Sequence, residues 1–326
     1  MSDTSDSTPT ETDTVTEPEI EAETALPKDT ALPGLLAHLP KRARPFALLA
    51  RWDRPVGVWL LFLPCVIGLL QMRVPAGLQW MDLVWAVLFL LGSVAMRGAG
   101  CTWNDIADRE IDAQVERTAA RPLPSGIVSL RDAYAFLAVQ VAIGFLVWLC
   151  LPLVAKLVAL FALPLVGAYP FMKRITWWPQ AWLGFTFNWG VLVGGATALG
   201  VVTGANVLMY LGLVAWTVAY DSIYALQDIE DDTLIGVRST ARLFGDRVQT
   251  AIFCFFMLAT VFVFAGAYFA GAGRIGAVMA LAFFGHGLWQ TIQLNTRDNG
   301  EALRVFKSNV WAGSILVLGL MIAALL

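Results

Sequence analysis

The chain has 326 residues, of which 58% are hydrophobic and 14% charged, with a formal net charge of −3 and a mean hydropathy of +0.66. Soluble globular domains carry about 25% charged residues, so this composition excludes an ordinary soluble enzyme and a basic nucleic-acid-binding protein. What remains is an all-α, polytopic membrane protein, because helices satisfy their backbone polar groups internally in lipid.

Residues 1–35, opening MSDTSDSTPTETDTVTEPEIEAETALPKDT, are rich in Ser, Thr, Asp, Glu and Pro and offer little to bury in a core. They predict a disordered acidic tail, with residues 36–326 forming the membrane domain. No basic segment leads into a short apolar run and a small-residue cleavage site, so no removable signal peptide is expected. Nine apolar stretches follow, at about 56–72, 82–103, 132–151, 153–171, 180–200, 206–227, 249–270, 275–294 and 309–326, with ends set only to within several residues. Each is long enough to cross a hydrocarbon core of roughly 30 Å.

Lys and Arg are unevenly shared between the connections. One side holds Arg109, Arg117, Arg121 and Arg131, then Lys173 and Arg174, then Arg238, Arg242 and Arg247, then Arg297, Arg304 and Lys307, and the N-terminal flank adds Lys41, Arg42, Arg44, Arg51 and Arg54. The other side has only Arg73, Lys156 and Arg274. The positive-inside rule places the N-terminus and the long, basic connections in the cytoplasm.

Two acidic clusters emerge from apolar runs on that side. In NDIADREID, a helix continued past Trp103 puts Asn104, Asp108 and Asp112 at i, i+4 and i+8, with Asp105 beside them. In DSIYALQDIEDD, Asp221, Tyr224, Asp228 and Asp232 fall near one face. Like charges at this spacing cost a few tenths of a kcal/mol and a carboxylate at membrane depth costs about 3 kcal/mol, so something cationic must offset them. One answer is a solvated helix end paired with Arg109, Arg117 and Arg121. The other is magnesium: a hard ion that takes one or two carboxylates per element and fills its remaining sites with phosphate and water. Each cluster is trailed by a basic loop, ERTAARPLPSG with Arg117 and Arg121 and IGVRSTARLFG with Arg238, while YPFMKR contributes Lys173 and Arg174. Two acid faces and three basic loops on one side suit Mg²⁺ ions carrying a diphosphate.

Cys65, Cys101, Cys150 and Cys254 stand singly, and His38 and His286 are isolated, so neither a zinc site nor a Ser-His-Asp arrangement is expected. Intramembrane acids also mark ion paths in transporters, but here they gather at one face of the bilayer.

NDIADREID with ERTAARPLPSG, YPFMKRITWWPQAWLGFTFNWG, and DSIYALQDIEDDTLIGVRSTARLFG together resemble the UbiA superfamily of intramembrane prenyltransferases, over about residues 45–326. RWDRPVGVWLLFLP and RVFKSNVWAGSILVLG point to the bacterial branch that prenylates 4-hydroxybenzoate in ubiquinone biosynthesis. The resemblance implies a helical bundle in the inner membrane with a chamber open to the cytoplasm. It implies Mg²⁺ as cofactor, a polyprenyl diphosphate and 4-hydroxybenzoate as substrates, and no soluble protein partner. It further implies metal ligation by Asn104, Asp105, Asp108, Asp112, Asp228 and Asp232, and diphosphate binding by Arg117, Arg121, Lys173, Arg174 and Arg238. Tyr224 is expected to face an allylic cation, and Asp221 either to hold or deprotonate the phenol or to join the metal site. The acceptor carboxylate needs a cation, for which Arg51, Arg54 and Arg97 are available, Arg51 being the first choice and Arg97 equally able to pair with an Asp.

Overall fold

The computed structural model describes residues 32–114, 116–229, 233–234, 236–295 and 298–326, and among them every regular element is helical. Most of the acidic tail, with Asp232, lies outside the described residues, as does the Arg117 side chain. Three short helices, α1 (Pro33–His38), α2 (Arg44–Leu49) and α5 (Glu116–Ala119), lie among the long ones. The long apolar elements are α3 (Val56–Arg73), α4 (Met81–Asp112), α6 (Leu130–Cys150), α7 (Leu153–Leu160), α8 (Leu163–Ile175), α9 (Pro179–Phe187), α10 (Trp189–Leu199) and α11 (Gly204–Ala225). After them come α12 (Thr240–Phe244), α13 (Val248–Phe269), α14 (Gly273–Gln293), α15 (Asn299–Lys307) and α16 (Asn309–Leu325).

Eight helical segments among the described residues are long and apolar enough to cross a membrane, and they match eight of the nine expected stretches. The chain is therefore a multi-pass membrane protein. The remaining stretch, expected at 180–200, is two helices of nine and eleven residues, α9 and α10, that meet at Asn188. At that point the Asn188 side-chain nitrogen donates to the Gly184 carbonyl at 2.9 Å, sharing that acceptor with its own backbone N–H, and also contacts Leu213 and Thr217 of α11. A second interruption separates α7 from α8, where Pro164 stands in the first turn of α8. Proline has no N–H to give and its ring excludes the carbonyl four residues earlier, so a helix restarts there instead of running through.

Burial sorts the bundle into an inside and an outside. Within their most apolar windows, 67% of α3 and 72% of the segment built on α11 are buried, against 11% for α6. Thus α3 and α11 are the central staves, and α6 turns Phe145, Leu146 and Leu149 outward, as a lipid-facing helix can without penalty. Close packing follows from glycine at α3 against α10: a Cβ on Gly68 would overlap the Val191 carbonyl, and one on Gly194 would overlap the Cys65 carbonyl. On the other side, Trp216 of α11 donates to the Asn309 carboxamide at 2.8 Å, and Asn309 and Gln290 exchange hydrogen bonds of 2.9 and 3.0 Å. This buried amide pair ties α16 and α14 to α11 and fixes the start of α16, next to Phe306.

Helix α4 has 32 residues and so reaches about 48 Å, well beyond a roughly 30 Å hydrocarbon core. The extra turns carry Asn104 to Asp112 without a break, as the sequence pattern required. Opposite them, α11 tightens into a 3₁₀ turn at Leu226–Asp228. Both acidic helix ends open onto the same cavity.

Candidate active site

The carboxylates on α4 face inward: Asp105 and Asp108 are fully buried and Asp112 nearly so. Burial without partners would cost several kcal/mol per charge, and the basic loops provide those partners. Arg51 Nη2 donates to both oxygens of Asp105, at 2.8 and 3.0 Å. Burial pulls the Arg51 guanidinium down, but the charge and hydrogen bond of Asp105, together with Cys101 and Asp53, outweigh that and hold it above the ordinary arginine value. Asp108 receives Lys173 at 2.5 Å and Arg174 at 2.8 Å. Asp112 receives Arg121 at 2.7 Å, and the same guanidinium lies 3.6 Å from Asp105. The three buried carboxylates of the first cluster, Asp105, Asp108 and Asp112, are thus each matched by a cation from another segment.

The basic residues are in turn held in place. Arg174 also donates to the Ala107 carbonyl at 3.0 Å. The Arg238 backbone N–H donates to Lys173 and its side chain to Ile175, and its guanidinium lies over the Trp177 ring. The loop that follows is pinned by the Thr240 N–H to Gln180 and by a 2.6 Å hydroxyl pair between Thr240 and Ser222 of α11. The end of α8, the start of α9 and the loop after the second cluster therefore move as one.

These elements enclose a cavity of about 320 Å³. Its rim carries Asn104, Asp112, Arg121, Lys173, Asp228 and Arg238. Deeper along the same helices lie Arg97, Asp221 and Tyr224, with Tyr169, Phe187 and Tyr220 closing the walls. Arg97 precedes Asn104 by seven residues on α4, and Asp221 precedes Asp228 by seven on α11, so rim and floor are separated by about 10 Å on both sides. A second cavity of about 240 Å³ shares Arg97, Asn104, Arg121 and Tyr169 and extends between Met96, Trp103 and Val166.

The floor is charged and unpaired. No carboxylate pairs with Arg97 among the described residues: its guanidinium lies 5.5 Å from the Phe187 ring centre, and its Nε is buried without a hydrogen-bond partner. A Cβ on Gly57 would overlap this guanidinium, so glycine makes the room for it. Asp221 likewise has no ion pair or hydrogen bond among the described residues, although it feels the Arg97 charge. Arg54, the third cation considered from sequence, lies against Asp53 at 2.8 Å and also lines the first cavity.

Of the residues singled out from sequence, Asn104, Asp112, Asp228, Arg121, Lys173, Arg238, Arg54, Arg97, Asp221 and Tyr224 line the first cavity. Asp105 and Arg51 face the second, and Asp108 and Arg174 bind each other beside the rim. Sequence reasoning passed over Tyr169, Tyr220 and Phe187. Tyr169 opens the quoted YPFMKR segment and Tyr220 adjoins Asp221, but neither adjacency reveals which way a ring points.

As oxygen donors for a metal, Asn104, Asp112 and Asp228 on one cavity suit Mg²⁺, which needs few protein ligands when a phosphate supplies the rest. No group of three or more His, Cys, Asp or Glu residues is poised to hold an ion alone among the described residues.

Comparison with known proteins agrees with this geometry. The model of the UbiA prenyltransferase family matches residues 61–314. The mitochondrial 4-hydroxybenzoate polyprenyltransferase of Drosophila melanogaster is 42% identical over 300 residues, covering 89% of this chain and 74% of the relative. A 4-hydroxybenzoate octaprenyltransferase of Pseudomonas fluorescens (strain SBW25) is 38% identical over 288 residues, covering 87% of this chain and 95% of the relative. Among solved structures, a UbiA homologue from Aeropyrum pernix K1 in its apo form superposes with a TM-score of 0.68 at 26% identity, over 82% of this chain and 97% of that one. The chain belongs to the UbiA prenyltransferase family.

Proposed function

We propose that this protein transfers a polyprenyl group from its diphosphate to the carbon ortho to the hydroxyl of 4-hydroxybenzoate, releasing diphosphate, as a step of ubiquinone biosynthesis. The observation that carries the reading is the contrast within one cavity, between a rim of oxygens and cations and a floor holding an unpaired Arg97 and Asp221. The names of the relatives at 42% and 38% identity point to the same substrates.

The donor diphosphate sits at the rim. Arg121, Lys173 and Arg238 offer it charged hydrogen bonds, with Arg117 and Arg174 added from the flanking segments. Magnesium held by Asn104, Asp112 and Asp228, with Asp105, Asp108 and Asp232 completing the two acidic faces, would supply the positive charge that makes diphosphate a good leaving group. The cations that pair with Asp108 and Asp112 in the structure, Lys173, Arg174 and Arg121, are among those proposed to hold phosphate. Substrate binding is then an exchange of partners, with acids passing to metal and bases to diphosphate.

The acceptor lies deeper. Its ortho carbon must reach the prenyl C1 beneath the rim, and its carboxylate must keep away from the diphosphate. The ring therefore enters carboxylate-first, and the carboxylate meets Arg97. Arg51, the first choice from sequence, is engaged with Asp105, whereas Arg97 has a charge to share. Asp221 holds the phenol hydroxyl and takes its proton as the ring carbon bonds to C1 and the C–O bond to diphosphate breaks. Tyr224, packed on Phe306 with ring centres 4.8 Å apart, turns an aromatic face to the developing cation, worth about 0.5–2 kcal/mol. Phe187 and Tyr169 exclude the water that would yield a prenol.

The bias of Lys and Arg supports a bacterial inner-membrane protein with its N-terminus and this cavity on the cytoplasmic side, and with α9 and α10 together making a ninth crossing. The test incubates membranes containing the protein with 4-hydroxybenzoate and a long-chain polyprenyl diphosphate, with Mg²⁺ or with EDTA. Metal-dependent 3-polyprenyl-4-hydroxybenzoate is expected. Absence of that product, while a control enzyme works in the same membranes, overturns the assignment.

A further inference from the structure

The buried amide that breaks the α9–α10 segment does more than end a helix. Asn188 is fully buried, and its Nδ2 lies against three acceptors: the carbonyls of Gly184 at 2.9 Å and Leu213 at 3.0 Å, and the Thr217 hydroxyl at 2.7 Å. Two carbonyls on one nitrogen fix the orientation of the amide, since only the NH₂ end can satisfy them. Nδ2 has two hydrogens to share among these three oxygens and cannot itself accept, so Thr217 cannot give its hydrogen to Asn188. That hydrogen goes to the Tyr220 hydroxyl at 3.1 Å. Tyr220 thus accepts from Thr217, and its own hydrogen has no acceptor among the described residues.

Tyr220 is 1% exposed and lines the first cavity. Its ring is wedged between Trp216, with centroids 5.1 Å apart, and Phe306, at 5.9 Å, so the hydroxyl cannot swing away to find another partner. Side chains on a helix lean toward its N-terminus, and the contact with Thr217, one turn back, shows that Tyr220 leans that way. Its hydroxyl therefore lies one turn below Asp221, on the side away from the rim, at the depth of the unpaired Arg97.

We propose that Tyr220 is a positioning and specificity residue whose hydroxyl, oriented by Asn188 through Thr217, donates to the carboxylate of the aromatic acceptor beside Arg97. This rests on the proposed function and deepens it. Arg97 supplies charge, and the Tyr220 donor supplies direction, fixing the ring so that its hydroxyl faces Asp221. A neutral ester of the same shape would leave the Arg97 charge unmet and offer Tyr220 only an uncharged, weaker acceptor, so the pair selects for an aromatic acid.

The experiment measures steady-state kinetics of wild type, Tyr220→Phe and Thr217→Val with 4-hydroxybenzoate and with its uncharged methyl ester, at saturating polyprenyl diphosphate. Phenylalanine keeps the ring packed on Trp216 and Phe306, and valine keeps the shape of threonine, so folding is preserved by one variant if not by the other. Loss of one donor to a charged group should raise the KM for 4-hydroxybenzoate about tenfold or more in Tyr220→Phe. Thr217→Val should show a smaller rise in the same direction. In both, the KM for the methyl ester, whose carbonyl accepts only a neutral hydrogen bond, should rise much less than that for the acid, and the KM for the prenyl donor should stay at the wild-type value, a split that a merely structural role would not produce. Wild-type turnover with an unchanged 4-hydroxybenzoate KM in both variants overturns this inference alone. An equal rise for acid and ester also overturns it, since Tyr220 would then serve the ring or its hydroxyl. A wild-type protein inactive on 4-hydroxybenzoate overturns the functional reading and this inference with it.

Discussion

The rim and the floor of the cavity lie about 10 Å apart on the same two helices and treat charge in opposite ways. At the rim, Asp105, Asp108 and Asp112 are each met by a guanidinium or ammonium within 2.8 Å. At the floor, Arg97 and Asp221 share one cavity with no hydrogen bond between them. Salt bridges that form spontaneously at the rim keep a highly charged site folded while it is empty, because each buried carboxylate has its cation. The floor has no such insurance, and an unpaired charge persists there only if the surrounding packing holds it, as Gly57 and Phe187 hold Arg97. On the proposed function, the difference separates a region that exchanges partners from one that receives a single charged group.

Substitutions can break that contrast, and the largest effect belongs to the rim. Asp228→Ala or Asp112→Ala removes a proposed metal donor, and product formation should fall by a factor on the order of 10³ or more. Radiolabelled donor and thin-layer separation of prenylated 4-hydroxybenzoate would measure it, and retention of most of the activity in either variant would remove that residue from the metal set. Arg97→Met comes next. Loss of the cation proposed to meet the acceptor carboxylate should lower kcat/KM for 4-hydroxybenzoate by about a hundredfold, near 3 kcal/mol, with the donor KM unchanged.

Lys173→Met gives a smaller effect that sharpens the comparison. One of several cations on the diphosphate is lost, so the donor KM should rise by roughly tenfold, while the acceptor KM stays constant. Arg51→Ala should affect neither KM appreciably. Its cost appears in folding, because Asp105 is left with only the 3.6 Å approach of Arg121, and thermal unfolding in detergent should show a destabilisation of about 3 kcal/mol. A large rise in the acceptor KM would instead return Arg51 to the acceptor site.

Much of the fold is legible in the residues because the bilayer restricts the choices. Eight of nine expected stretches appear as continuous apolar helical segments or near-continuous ones; most ends match within a few residues, but one helix runs on to Asp112 and two segments begin at Thr240 and Gly300, each nine residues beyond the expected end. The helical continuation that stacks Asn104, Asp108 and Asp112 follows from spacing alone. The breaks were less visible. Pro164 could have been read as the start of a new helix, but Asn188 lies in an apolar run, and its effect depends on Leu213 and Thr217, which are far away in sequence. The choice among Arg51, Arg54 and Arg97 was illegible for the same reason. Whether a cation is free depends on which carboxylates the fold places beside it, and Asp105 and Asp53 take the first two. Tyr169 and Tyr220 carry no motif of their own and become functional only through the cavity they share with Asp221.

The most direct measurement is the preference of wild type and Arg97→Met for 4-hydroxybenzoate over its uncharged amide, expressed as the ratio of kcat/KM values in the same preparation. Taking the ratio cancels losses from folding or membrane insertion. A floor built around one unpaired guanidinium predicts a strong preference for the acid in wild type, which collapses toward unity or inverts in Arg97→Met while the donor KM holds steady. A preference that survives the substitution unchanged would contradict it and place the acceptor carboxylate elsewhere.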